Sequence, residues 1–200
     1  MENTIPLLIA LDATFEQIIA LYGFPAFLSR PSGFESLSLI ILEQQVSLNS
    51  ARASFNKLKG LIGNFTPEAI TQVTEQQFRQ CGISRQKTTY LRALAEAVLD
   101  GAIDFDSFSD KNHELVRAEL VRLKGIGNWT ADIYLMFCLQ SPDILPLADI
   151  GIVSAIRDLW GFTTAEEIAE YSKRWKPYGT TAAFLLWHYY LEKRGRKFPH

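Results

Sequence analysis

The chain is 200 residues long, 48% apolar and carries a formal charge of −2, enough to bury the core of one domain or two small lobes. That charge excludes coating of a polyanion through bulk electrostatics, so any such binding must be local. No apolar run approaches the roughly 20 residues of a membrane span, "MENTIPLLIA" lacks the marks of a signal peptide, and Cys81 and Cys138 are too few for a four-thiolate metal site and are expected as buried free thiols.

In chain order, Leu11, Phe15, Ile18, Ile19 and Tyr22 keep a helical period that Gly23 and Pro25 close. A second helix is expected from Phe34 to Leu48, apolar nearly all round at Leu37 to Leu42 and therefore central. Asn49 or Ser50 opens a third that ends at Gly63. Thr66 with Pro67 reads as an N-cap with proline at the first helical position, and Ser84 opens a long helix ended by Gly101. Leu120 and Leu123 continue one apolar face with Leu115 or Val116, and Ile133 and Phe137 resume the pattern after "KGIG". Thr164 and Glu167 form a capping box before Ile168, Tyr171 and Trp175. Pro177 and Gly179 break that helix, and a last one carries Phe184, Leu185, Trp187, Tyr189 and Tyr190 towards Gly195. About ten helices and no alternating strand predict an all-α fold.

The informative interruption is "LKGIGNWTADIYL", Leu123 to Leu135. Between two apolar-periodic helices it reads as an αα-hairpin in which Gly125 takes a positive φ as the residue just past the first helix. Gly127 has a different use. Without a side chain ahead of Asn128, the open N–H groups and dipole of the next helix can meet an anion, and a DNA phosphate is the anion suggested. Turn chemistry alone also explains the two glycines. Basic residues gather late, at Lys173, Arg174 and Lys176 and at Lys193, Arg194, Arg196 and Lys197, either as solvated helix ends or as a second anion contact.

Five blocks in order carry a resemblance: "LEQQVS" from Leu42, "GISRQKTTYLRALAEAV" from Gly82, "LKGIGNWTADIYL", "LPLADIGI" from Leu145 and "RWKPYGTTAAFLLW" from Arg174. Together they resemble the helix-hairpin-helix (HhH-GPD) DNA glycosylases, in the alkylpurine, or 3-methyladenine DNA glycosylase II, branch. The resemblance implies a two-lobed helical bundle with a DNA-facing cleft, one lobe at about 30–145 and the other from 1–29 plus 146–200. It implies hydrolysis of the N-glycosidic bond of alkylated purines such as 3-methyladenine and 7-methylguanine after base flipping. The partner implied is double-stranded DNA containing damaged bases, bound by a monomer without a membrane. An intracellular protein is expected, cytoplasmic and nucleoid-associated if bacterial.

By the same resemblance, Asp149, which stands 22 residues after Gly127, is the carboxylate beside the sugar. It stabilises an oxocarbenium-like state, positions water, or both. Position alone equally makes it the N-cap of a helix starting at Ile150. Asp132, Asp143 and Asp158 read as surface or cap residues. Trp129 and Trp187 match pocket aromatics, where an electron-rich face suits a cationic base; core packing is the other use of a tryptophan at helical spacing. Tyr134, Tyr178 and Trp175 are weaker pocket candidates. Gln44 and Gln45 match the block that faces the gap left by the flipped base, with Gln45 at the wedge position where a close relative has an aliphatic residue. Gly125, Ile126, Gly127 and Asn128 match the phosphate-binding hairpin. The carbonyls of Leu123 and Ile126 match a monovalent-cation site, the one cofactor the resemblance suggests.

Two departures define the subtype. Bifunctional relatives carry a lysine nucleophile two residues after the second glycine, where this chain has Trp129, so no lyase activity is expected. The four cysteines that hold an iron–sulfur cluster in other relatives are missing, and no such cluster is expected. Ile133 stands where a close relative has a pocket tyrosine, which predicts a roomier pocket. The sequence reaches "LEQQVS" too soon to hold the β-rich N-terminal subdomain of longer members. A competing possibility is a non-catalytic helix-hairpin-helix module for damaged or distorted DNA, and a more distant one is a helical protein-interaction domain.

Overall fold

The computed structural model describes residues 1–196, and Lys197 of the basic tail lies outside them. Every regular element among the described residues is helical, with no strand. Leu11 ends a separate helix, α1 (Ile5–Leu11), and the helix read from Leu11 to Tyr22 begins only at Thr14 (α2, Thr14–Tyr22), because Asp12 leaves helical geometry and its Oδ1 accepts the Thr14 N–H at 3.1 Å. The chain divides into two compact units, Met1–Ser29 with Gln140 onward, and Arg30–Leu139.

The continuous unit holds α3 (Phe34–Glu43), α4 (Leu48–Ile62), α5 (Pro67–Gln72), α6 (Glu75–Gln80), α7 (Arg85–Leu99), α8 (His113–Leu120) and α9 (Asn128–Phe137). Local capping chemistry sets most of these starts. Ser47, Thr66, Ser84 and Asn112 each accept a backbone N–H from their own helix, and Thr74 and Gln77 complete a capping box. α3 is central as expected, with Leu37, Ile40 and Ile41 fully buried, but it stops at Glu43 rather than Leu48. α9 is buried from Thr130 to Phe137, and Tyr134 ties it to the loop before α3 by accepting the Gly33 N–H and bonding Ser32 Oγ. Tyr134 is therefore core and not a pocket aromatic.

The discontinuous unit adds α10 (Ile150–Trp160), α11 (Ala165–Ser172) and α12 (Gly179–Glu192) to α1 and α2. Thr164 and Glu167 form the expected capping box. Trp175 lies beyond α11 in a 3-10 turn, fully buried. Its indole N–H donates to Asp12 Oδ2 at 3.0 Å, where Trp160 Nε1 (3.2 Å) and Tyr171 Oη (3.1 Å) also donate. A carboxylate that is 8% exposed is thus satisfied by three aromatic donors, and Trp175 too belongs to the core.

Cys81 and Cys138 are free thiols; Cys81 is buried and Cys138 only partly so by surface area. Burial pushes the Cys138 thiol up to about 12. No described helix is long and apolar enough to cross a membrane.

Candidate active site and nucleic-acid interface

In the continuous unit, the sharp end of α3 is built by long-range bonds. Glu43, buried at 6% exposure, takes a two-pronged ion pair from Arg30 at 2.8 and 2.9 Å, with the guanidinium 5.3 Å from the Phe137 ring centre. Lys87 Nζ donates to Leu42 O at 2.6 Å, and burial lowers the pKa of that ammonium. Gln44 turns inward, its Nε2 donating to Gly125 O and Thr130 Oγ1, both at 2.9 Å. Gln45 then adopts a left-handed φ of 56° and is exposed, next to Val46 at 45% exposure. A non-glycine residue in that region is strained by roughly 1–2 kcal/mol, which the bonds of Glu43, Gln44 and Leu42 hold in place. Gln44 is thereby a brace between this turn and the hairpin, while Gln45 is the residue presented outward.

The hairpin differs from its expected form in one respect. α8 ends at Leu120, capped by Val121, so Gly125 is not the residue that terminates it. Gly125, at φ 89°, is instead the third residue of a turn closed by the Ile126 N–H on Leu123 O at 3.1 Å, the position where a type II turn requires positive φ. Gly125 is also pressed on Tyr90: a Cβ there would lie 2.2–2.4 Å from the ring. Gly127 is the opposite case. Its backbone is extended, no side chain caps α9, and a Cβ would meet nothing within 4 Å. Asn128 is exposed, Ile126 buried and Trp129 half-buried on the first turn of α9. Leu123 O accepts the Ile126 N–H and keeps a second lone pair, the donor type a monovalent cation would require.

Behind the hairpin, Asp132 is 9% exposed and paired with Arg117 of α8. It is not the surface or cap residue expected. Burial raises its carboxyl above the ordinary value, opposed by the hydrogen bond and charge of Arg117. This pair joins the two hairpin helices.

In the discontinuous unit, Asp149 is half-buried and caps α10, as its position suggested. One oxygen, Oδ1, accepts the N–H groups of Gly151 (2.8 Å) and Ile152 (3.1 Å) and also the indole N–H of Trp187 (2.9 Å). Three donors on one oxygen fix the plane of the carboxylate. Gly151 makes the approach feasible, since a Cβ there would lie 3.1 Å from Asp149 Oδ1, 3.3 Å from Trp187 Cδ1 and 3.2 Å from Tyr190 Cδ1. Trp187 is 7% exposed and its ring meets Phe184 edge-on at 5.9 Å. The start of α12 is held by Asp143 Oδ1, which accepts the Gly179 N–H, and by Thr180 Oγ1, which donates to Ser141 O at 2.6 Å. Asp143 is thus a cap, and Asp158 a surface partner of Lys193.

Asp149 and Trp187 are therefore brought into direct contact, as are Gln44 and Gly125, while Trp129 belongs with the hairpin unit. Lys87, Tyr90, Arg117 and Gly151 were missed as supporting residues. Tyr90 and Lys87 lie in a block quoted for the resemblance, but their partners are 35 and 45 residues away (125 − 90 and 87 − 42), and only folding reveals them.

Similarity to known proteins is extensive. The model of the HhH-GPD superfamily of base excision DNA repair proteins matches residues 39–177. The DNA-3-methyladenine glycosylase 1 of Schizosaccharomyces pombe is 30% identical over 88% of this chain and 82% of its own length. A Schizosaccharomyces pombe 3-methyladenine DNA glycosylase solved in complex with abasic DNA superposes with a TM-score of 0.82 at 30% identity, over 90% of this chain and 92% of that one. A DNA-3-methyladenine glycosidase from Bacillus halodurans gives 0.80 at 31% identity, over 95% and 90%. The matched segment contains the braced turn, the glycine hairpin and Asp149, and the chain belongs to the HhH-GPD superfamily of base excision DNA repair proteins.

Proposed function

We propose that the protein is a monofunctional DNA glycosylase that removes alkylated purines from double-stranded DNA, acting as a monomer. The observation that carries this is the Asp149 carboxylate, half-buried and oriented by Gly151, Ile152 and Trp187, in a chain whose relatives are named for 3-methyladenine excision.

The chemistry follows from charge. Breaking the N-glycosidic bond sends its electron pair to the base and leaves positive charge on the sugar, where water adds at C1′ and loses a proton. A fixed carboxylate beside C1′ opposes that charge as it develops and can orient the water. A base alkylated on a ring nitrogen is already cationic and departs neutral, so no general acid need protonate it. Trp187 orients the carboxylate through its N–H, and Trp129 offers a half-exposed ring for stacking the extruded base. Trp129 in place of a lysine supports hydrolysis without strand cleavage.

The hairpin contributes grip. Gly127 leaves the uncapped start of α9 open to a phosphate, an interaction indifferent to base sequence. A monovalent cation on the Leu123 and Ile126 carbonyls would add positive charge at that point. Gln45, exposed on its strained turn, would enter the stack as the base leaves.

The test uses duplexes carrying 3-methyladenine or 7-methylguanine. Wild-type protein should release the free base and leave the abasic strand uncut until alkali is added, and Asp149→Asn should not release it. Equal release by the variant, or no release by wild type, would overturn the assignment.

A further inference from the structure

The contact between α10 and α12 continues beyond the carboxylate. Gly151, Ser154 and Asp158 recur at three- and four-residue spacing, so they share one face of α10. Their partners lie along α12 and the residues after it. Asp149 meets Trp187; a Cβ on Gly151 would touch Trp187 and Tyr190; Ser154 Oγ accepts from Arg194 Nη2 at 3.3 Å; Asp158 pairs with Lys193 at 3.0 Å.

Arg194 is held with unusual care for an exposed side chain. Its guanidinium carbon lies 3.8 Å from the Tyr190 ring centre, and Nη1 donates to Tyr190 O at 3.2 Å. With the bond to Ser154, two of the five guanidinium donors are engaged among the described residues, and no carboxylate among those residues pairs with the charge. Lys193 differs, being neutralised by Asp158. A flexible cation has been made a fixed one, in a chain whose overall charge repels DNA. Ser154 is five residues beyond Asp149, about 7–8 Å along the helix axis at ~1.5 Å per residue. The Arg194 guanidinium is therefore held on the same face of the unit as Asp149, within a few residues of it along α10.

We propose that Arg194, stacked on Tyr190 and tied to Ser154, binds a DNA backbone phosphate flanking the sugar addressed by Asp149. This rests on the assignment of Asp149 as the carboxylate beside that sugar. Tyr190 then has a double use: one edge lies against the Gly151–Asp149 turn, and its face carries the cation. The contact is to phosphate and reads no base.

Arg174 provides a matched control, because it is also exposed and stacked, 3.7 Å from the Tyr171 ring centre, on a different part of the unit. Binding to a duplex containing a tetrahydrofuran abasic analogue should be titrated over a range of NaCl concentrations for wild type, Arg194→Gln and Arg174→Gln. For Arg194→Gln the slope of log affinity against log salt should flatten by about one, with affinity lowered several-fold for every flanking sequence. Arg174→Gln should overlay wild type. An unchanged slope for Arg194→Gln, or equal flattening by both variants, would overturn the proposal. If wild type releases methylated purines while Arg194→Gln keeps the full slope, this proposal alone fails. If wild type neither releases base nor binds with salt dependence, the glycosylase assignment fails with it.

Discussion

The starts of α9 and α10 are built on the same element, a helix N-terminus preceded or followed closely by glycine, and are put to opposite use. At α9, Gly127 supplies no cap and a side chain there would meet empty space. At α10, Asp149 caps its own helix and draws in Trp187, and a side chain on Gly151 would be crowded at 3.1–3.3 Å by Asp149, Tyr190 and Trp187. An N-terminus left open offers its donors to an external anion. One closed on its own carboxylate directs them inward and makes that carboxylate rigid. On the proposed function, the contrast separates holding DNA from acting on it.

The largest effect should come from breaking the closed end. Asp149→Asn keeps a good N-cap, so thermal stability should stay close to wild type while base release falls by about 10²-fold or more. Asp149→Ala should lose the same activity and also about 1 kcal/mol of stability in urea titrations. If both variants lost stability equally, the cap and the chemistry would not be separable as argued.

Next come the two hairpin glycines, which should fail in different assays. Gly125→Ala places a Cβ into the Tyr90 ring and forces a left-handed alanine; a destabilisation of about 2–4 kcal/mol is expected from strain plus overpacking, visible as a lower urea midpoint. Gly127→Val should change that midpoint little, yet weaken DNA affinity roughly tenfold for all sequences alike, read by fluorescence anisotropy. A Gly127→Val protein that bound normally would remove the open-end account. Gln44→Ala should sit between them, costing about 1–2 kcal/mol for the bonds lost to Gly125 O and the buried Thr130 hydroxyl and loosening the Gln45 turn.

The smallest effect concerns Asp132, whose folded carboxyl is raised above the ordinary 3.8, chiefly by burial. A group with a raised folded value contributes stability fully below its unfolded value, and loses that contribution as pH rises through the folded one. Asp132→Asn does not titrate. Its stability relative to wild type should therefore improve as pH is taken from below 3.8 towards neutrality, and a constant difference across that range would contradict the burial argument.

What could be seen in the sequence was what is local. Thr66 with Pro67, Ser84, and Thr164 with Glu167 announce helix starts because cap and capped N–H lie within three residues, and each is found. The end of α3 was placed too late because the apolar pattern runs on from Leu42 towards Val46, while the break is imposed by Arg30, Lys87 and the hairpin. Asp149 was legible as a cap. Its third donor, Trp187, is 38 residues away, so the orientation of the carboxylate was not. Asp132 was misplaced for the same reason: its partner is 15 residues back on another helix. Asp12 drew no notice at all, since its donors lie 148 to 163 residues on.

That last carboxylate bears on the order in which the molecule can be made. Residues 30–139 are contiguous and can condense while the ribosome is still adding the rest. Asp12 and the helices around it must wait for Trp160, Tyr171 and Trp175 to emerge, and Asp149 must wait for Trp187. On the proposed function, the nascent chain therefore completes its phosphate-binding hairpin well before the carboxylate beside the sugar can be oriented.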